Sequence, residues 1–275
     1  MARSRPQGAV GHWLEADLLA PGVPEQIIAE VRPTHLIHLA WNAKPGEFWH
    51  ASDNLDWMSA SLKLVTSFWE GGGGKAVVAG SCAEYGWDRE ILIESSPCAP
   101  ATLYGASKDA LRRLLETISS HDKRQLAWGR VFWLYGPGEP RGRLISDVAV
   151  ALVEGRPVDC GPGLEARDFL HVTDVARAFV ALALENIEGL VNISSGAAVK
   201  IKKILNSLEG ITSKSGLIRL GTRHQPIGTP RVLIGENSRL RNELCFQPVF
   251  SLEKGLAETL DWWRAELARD ATVAR

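Results

Sequence analysis

The sequence predicts an α/β protein, a doubly wound parallel sheet with a smaller α/β region after it. Short apolar runs alternate with longer amphipathic ones over the first half of the chain, the β-α-β-α rhythm of a parallel sheet. Some of those runs are almost continuously apolar, the pattern of strands covered on both faces. Glycine and proline cluster between the runs, where turns belong.

Taken in order, residues 13–18 (WLEADL) read as the end of a strand, and 24–31 (PEQIIAEV) as a helix with Pro24 in its first turn. HLIHLA (35–40) is a strand, and a helix over about 51–70 is stopped by Gly71 to Gly74. Strand KAVVAG (75–80) leads to a loop with Pro97 and Pro100, then to helix 103–120. Strand LAWGRVFWL (126–134) runs into YGPGEP, a turn by composition. Beyond it the rhythm loosens into helix 144–154, strand 157–160, helix 173–185, strand 190–194, helix 199–209 and a last helix over about 252–268. This places a dinucleotide-type sheet domain at 1–139 and a mainly substrate-binding region at 140–275, with some later segments returning to the sheet.

Composition narrows the function. The 275 residues carry a net charge of −1, so no basic field steers the molecule onto nucleic acid or an anionic membrane. An anionic ligand must be met by a few local arginines. Four scattered cysteines, Cys82, Cys98, Cys160 and Cys245, form no CxxC pair, which argues against structural zinc and for a reducing cytoplasm. No run of apolar residues is long enough to span a bilayer.

YGASK places Tyr104 and Lys108 four residues apart near a helix start, on one face. A free tyrosine ionises near pH ~10 and is a poor base at neutrality. A neighbouring ammonium favours the phenolate, and so does the positive end of a helix. Tyr104 is then able to exchange a hydroxyl proton while a hydride moves at the same carbon. Ser81 follows strand KAVVAG directly, and a hydroxyl at a strand's carboxyl end is placed to bond the same oxygen.

Together with EADLL (15–19), HLA (38–40), Asn54, GSCAEYG (80–86), RVFWLYGPG (130–138), RDFLHVTDVA (167–176) and the ending SRLRNEL…FQP…SLEKGL…WW, the motifs resemble the extended short-chain dehydrogenase/reductase superfamily. Within it the resemblance is to the NAD-dependent sugar-nucleotide epimerase/dehydratase family, with a Rossmann-like sheet. It implies that Ser81, Tyr104 and Lys108 form a catalytic triad, with Tyr104 and Lys108 also meeting the cofactor. Asp17 and Leu18 would hold the adenine, and Ala40 would line the pyrophosphate–ribose path. Asn54 would make a structural bond near the lysine. Ser81, Cys82, Trp133, Arg167 and Arg223 would face the substrate, Arg167 gripping the nucleotide diphosphate. Asp17 also reads as a plain helix-terminal charge, and Arg167 as a salt bridge to Asp168. His171 and Asp174 read as packing and capping residues. The resemblance also implies a homodimer through helices 51–70 and 103–120.

Three departures from the family pattern narrow the chemistry. The glycine-rich turn between a first strand and first helix is absent, and Gly71 to Gly74 follow a helix rather than a strand. The sheet is therefore expected to be N-terminally incomplete, through a late start site or a true truncation, with opened strand edges. Dehydratases of the family place an acid and a base directly after the catalytic hydroxyl; here Cys82 and Ala83 stand there. Glu84, one residue on, is expected to point to another side. Trp133 takes the place of an asparagine that contacts substrate phosphate, and either stacks on the ligand or fills the core.

Hydride transfer and the tyrosine suffice for a 4-ketoreductase or an epimerase. The expected activity is NAD(P)-dependent reduction of a nucleotide-linked 4-keto-6-deoxy sugar. An epimerase with retained NAD, or a non-catalytic homologue, is the alternative. Arg3 and Arg5 lean toward NADP over NAD if they lie at the second strand's end, and otherwise form an exposed basic N-terminus. Without the helix N-terminus for the pyrophosphate, the chain beginning at Met1 is expected to bind dinucleotide weakly. Calorimetric titration with NAD and NADPH checks this, and tight binding overturns it.

Overall fold

A computed structural model describes residues 10–223 and 230–273. The chain opens with α1 (Val23–Val31), β1 (His35–His38), α2 (Asn54–Glu70) and β2 (Lys75–Ser81). A short 3-10 turn (Cys82–Glu84) precedes β3 (Ile91–Leu92), α3 (Leu103–Asp122), β4 (Gln125–Val131) and β5 (Trp133–Tyr135). Next come α4 (Leu144–Glu154), β6 (Val158–Cys160), β7 (Ala166–His171), α5 (Val172–Leu184) and β8 (Gly189–Ile193). The remaining elements are β9 (Ala198–Lys200), α6 (Ile201–Thr212), β10 (Ile218–Leu220), β11 (Val232–Gly235), α7 (Ser238–Glu243) and α8 (Leu252–Val273). Arg3 and Arg5 lie outside the described residues.

Two compact units result. One holds residues up to Glu84, Cys98–Arg130 and Phe179–Val191; the other holds Tyr85–Pro97, Val131–Ala178 and Asn192 onward. Against a 1–139/140–275 division, residues 85–97 and 131–139 fall in the second unit and 179–191 in the first.

The first unit is a four-stranded sheet in the order β1-β2-β4-β8. β1 and β2 run parallel, with His35 opposite Lys75 and His38 opposite Val78. Leu64, Val65 and Phe68 from α2, Leu111 and Leu115 from α3, and Trp128 from β4 make up much of the core. Such side chains contribute about 1.5–3 kcal/mol each when fully buried. The four glycines end α2 for a steric reason. Gly72 takes φ +86°, and a Cβ on Gly73 would lie 2.2 Å from the Phe68 ring.

Two strand expectations are corrected. β1 is not buried along its whole run, since Ile37 is 38% exposed and Leu39, just past its end, 56% exposed; among the described residues β2 is its one strand partner. Residues 13–18 contribute only an isolated bridge at Glu15 rather than a strand. The predicted strand 126–134 also divides. Phe132 N–H still donates to Ile193 O of β8 in the first sheet at 3.1 Å, but from Trp133 the chain pairs with β7, so β4 and β5 belong to different sheets.

The second unit carries the order β3-β11-β7-β5, with β9 antiparallel to β7. A parallel pair, β10 and β6, stands apart. Its apolar core joins Val148 and Leu152 of α4, Ile204 and Leu208 of α6, and Leu256 and Leu260 of α8. No helix among the described residues is long and apolar enough to cross a membrane.

In α3, Thr102 caps the start by accepting from Gly105 N–H at 3.1 Å. Gly105 then passes so close to the 3-10 turn that a Cβ would sit 2.2 Å from Ala83 O, a backbone atom. Gly105→Ala is therefore expected to destabilise the protein by about 1–3 kcal/mol despite its better helix propensity. Thermal unfolding of the variant beside the parent measures this.

Candidate functional site

Thr102 starts α3 so that Tyr104 stands in its first turn and Lys108 one turn later. Tyr104 N–H donates to Trp49 O at 3.0 Å. Its ring meets Phe48, Trp49 and Trp41 edge-on, at centroid distances of 4.9, 5.9 and 6.3 Å. Three aromatic rings hold the phenol in place.

Lys108 is buried. Its Nζ donates to Ala79 O of β2 at 2.9 Å and lies 3.8 Å from the centroid of the Trp41 ring. Burial pulls its pKa down to about 7, against the favourable charge of Glu84. His38 of β1 is also buried, bonded to Ser61 Oγ at 2.8 Å. Burial, and then the Lys108 charge, lower it to about 3, so it is neutral at physiological pH.

Ser81 ends β2, its Oγ accepting from Ala83 N–H at 3.2 Å. Cys82 and Ala83 are buried in the turn that follows. Ser81, Tyr104 and Lys108 thus all belong to the first unit, where β2, the turn and α3 pack together.

Behind Ser81 lies a charged cluster that sequence reasoning missed. Glu84 is fully buried. Its Oε1 accepts from Ser81 N–H at 2.7 Å and Trp128 Nε1 at 3.0 Å. Its Oε2 accepts from Arg130 Nε at 2.7 Å, and Arg130 Nη2 reaches Cys98 Sγ at 3.0 Å. Burial raises the Glu84 pKa, opposed mainly by the Arg130 charge. A lone acid in GSCAEYG and a lone arginine in LAWGRVFWL, opposite charges in two apolar runs, were the available signal.

A cleft of about 490 Å³ in the same unit is lined by Asp17 and Leu18, by residues 40–44, and by Asp53 and Trp57. Asp17 Oδ1 accepts from Leu19 N–H at 3.1 Å, and Leu18 is buried. Ala40 lines the wall, so these three expected cofactor residues do meet. Two buried lining atoms, Asp53 Oδ1 and Trp57 Nε1, have no hydrogen-bond partner among the described residues. Asn54 stands apart from the lining. Its amide nitrogen donates to Phe48 O and Ala51 O, and its oxygen accepts from Trp41 Nε1 at 2.8 Å. It reaches Lys108 only through that indole.

The second unit holds Trp133, Arg167 and Arg223. The Arg167 guanidinium lies 5.3 Å over the Trp133 ring and donates to Ala166 O at 2.8 Å. Trp87 lies 6.3 Å from Trp133, so the tryptophan is part of an aromatic pair rather than deep core. Asp168 turns to the other face of β7, as strand alternation requires. It accepts from Ser195 N–H and Oγ–H, and from Gly196 and Gly235 N–H. Arg223 is exposed, its N–H donating to Cys160 O at 3.2 Å. His171 stacks on Phe250 at 4.0 Å, while Asp174 accepts from Val249 and Phe250 N–H.

Removing Arg130 strands a buried carboxylate, so Arg130→Met is expected to cost about 3–5 kcal/mol at neutral pH. The folded chain then binds the Glu84 proton more tightly than the unfolded chain. The deficit therefore shrinks as pH falls from neutrality toward the ordinary carboxylate range. Urea unfolding at several pH values measures both.

The sequence model of the "NAD dependent epimerase/dehydratase family" matches residues 1–194. GDP-L-fucose synthase 1 of Arabidopsis thaliana is 30% identical over 273 residues, covering 90% of this chain and 82% of that protein. The dTDP-4-dehydro-6-deoxy-D-allose reductase of Streptomyces bikiniensis is 25% identical over 206 residues, covering 66% of this chain and 62% of the reductase. This chain thus spans under two thirds of that relative's length. The fold matches UDP-glucose 4-epimerase of Thermotoga maritima, solved with UDP-glucose, with a TM-score of 0.84 and 24% identity, over 92% of this chain and 84% of that one. With its mixed α/β architecture, parallel strand pairs and matching family model, the chain belongs to the NAD dependent epimerase/dehydratase family.

Proposed function

We propose that this protein is an NAD(P)-dependent reductase of a nucleotide-linked 4-keto-6-deoxy sugar. The observation that carries the reading is the arrangement around β2. Tyr104 and Lys108 share a face at the start of α3, Lys108 is anchored on Ala79 O, and Ser81 ends the strand. The residues directly after Ser81, Cys82 and Ala83, offer no carboxyl group, and Glu84 is turned inward onto Arg130 and Trp128. Proton abstraction beside the carbonyl, which dehydration requires, lacks the carboxylate that dehydratases of the family use there. One similar protein is named as a dTDP-4-dehydro-6-deoxy-D-allose reductase, which supports this substrate class, and another as a GDP-L-fucose synthase, which supports a nucleotide-linked sugar.

Apart from the glycine-rich turn that the sequence lacks, the residues present fit a dinucleotide. The cleft offers the Asp17 carboxylate and apolar Leu18 side by side, and two polar atoms, Asp53 Oδ1 and Trp57 Nε1, without a partner among the described residues. Asp17, Leu18, Ala40 and Lys108 would hold the cofactor, which when bound supplies the hydride. Tyr104 gives its hydroxyl proton to the substrate's carbonyl oxygen, and Ser81 hydrogen-bonds that oxygen. The Lys108 charge eases the phenol's ionisation. In the second unit, Arg167 would grip the diphosphate and Trp133 offer its ring to the ligand. Exposed Leu55 on α2 and Leu114 on α3 support a homodimer through those helices. The four free thiols support a reducing compartment.

The test is NAD(P)H oxidation with dTDP- and GDP-linked 4-keto-6-deoxy sugars. Oxidation coupled to sugar reduction is the expected result. Interconversion of sugars without net oxidation means an epimerase, and neither binding nor turnover means a non-catalytic homologue. Tyr104→Phe is expected to lower kcat about 10²–10⁴-fold with substrate affinity kept, measured by steady-state kinetics and calorimetry.

A further inference from the structure

We propose that Trp41 is a positioning residue for Lys108, its indole face holding the buried ammonium in place as a cation beside Tyr104. The inference rests on the catalytic reading of the Tyr104–Lys108 pair and adds a member to it. Lys108 Nζ has one hydrogen-bond acceptor among the described residues, Ala79 O. A buried ammonium with three donors and one carbonyl is poorly solvated. What it does have is the Trp41 ring, 3.8 Å from nitrogen to centroid, well inside the range of a strong cation–π contact.

The indole is itself fixed. Its Nε1 donates to Asn54 Oδ1 at 2.8 Å, and the other end of that buried amide is held by Phe48 O and Ala51 O. The Trp57 ring stacks on it at 6.4 Å and the Tyr104 ring meets it edge-on at 6.3 Å. One side chain therefore contacts both members of the pair. The charged and titratable groups facing Lys108 are few. His38 of β1 is buried and neutral, and Tyr104 lies on the same helix. Glu84, from the turn after β2, is already bonded to Arg130. No carboxylate contacts the ammonium directly among the described residues, so the indole's negative face takes that place.

Lys108 must be charged to assist Tyr104, so weakening the contact moves the loss of activity to lower pH. The decisive measurement is the ¹³Cε NMR titration of Lys108 in the chain without cofactor, its signal assigned by Lys108→Arg. The parent midpoint is expected near 7. Trp41→Leu lowers it by about one pH unit, and Trp41→Phe, which keeps an aromatic face, by less. The basic limb of the kcat profile shifts with it. Turnover falls about tenfold well above neutrality and little at acid pH.

Should the leucine variant lose its fold, Trp41→Met fills the space without a ring and reads the same midpoint. An unchanged midpoint in a folded Leu or Met variant overturns the proposal. Full turnover in Tyr104→Phe would instead overturn the catalytic reading, while the Trp41 titration, needing no turnover, would still stand or fall on its own.

Discussion

Glu84 is a carboxylate with no exposure to water, and its two oxygens together accept from Ser81 N–H, Trp128 Nε1 and Arg130 Nε. Those bonds fix where β2 ends and where the turn after it lies. Gly105 of α3 packs on the carbonyl of that turn with no room for a Cβ. The start of α3, and so the placement of Tyr104 and Lys108, follows from the shape that Glu84 imposes. Gly80 records the same crowding, since a Cβ there would meet Trp128 Nε1 at 2.0 Å and Glu84 Oε1 at 2.5 Å.

A buried ion pair is rarely a gain in stability over apolar packing, because both charges lose their hydration. Its use here is geometric. Arg130 reaches onward to Cys98, and Arg112, bonded to Asp109 and Glu116, lies 3.9 Å from Glu84. The network joins β2, β4, α3 and the residue opening the Cys98 segment through bonds with fixed directions. Hydrophobic contacts alone would let those elements slide.

The second unit repeats the device with a different acid. Asp168, buried on β7, accepts four bonds from Ser195, Gly196 and Gly235, tying that strand to the loop after β8 and to β11. Burial raises its pKa while those bonds lower it. With the strand pinned on one face, Arg167 projects on the other, beside Trp133. In each unit a buried carboxylate anchors a strand that carries a candidate site residue, Ser81 on β2 and Arg167 on β7.

Local pattern was enough to determine much of this protein. The helices at 24–31, 51–70, 103–120 and 144–154 are periodic, with glycine, proline or threonine at their ends, and those signals act within a few residues. The Tyr104–Lys108 spacing and the strand-end position of Ser81 are local in the same sense. What the pattern could not determine depends on partners far along the chain. The apolar run 126–134 reads as one strand, but Trp133 and Leu134 pair with Phe169 and Leu170 of β7, which divides it between two sheets. HLIHLA reads as a covered strand, but cover comes from elements packed above and below it, and Ile37 and Leu39 remain exposed. Glu84 and Arg130 are 46 residues apart, and Trp41 and Lys108 meet only once β1, α2 and α3 have packed. The sequence thus determined which residues could do the chemistry, since side-chain type and helical spacing are local. Only the tertiary structure decided the charge environment and anchoring of Lys108, because burial and electrostatic partners are properties of the packed chain.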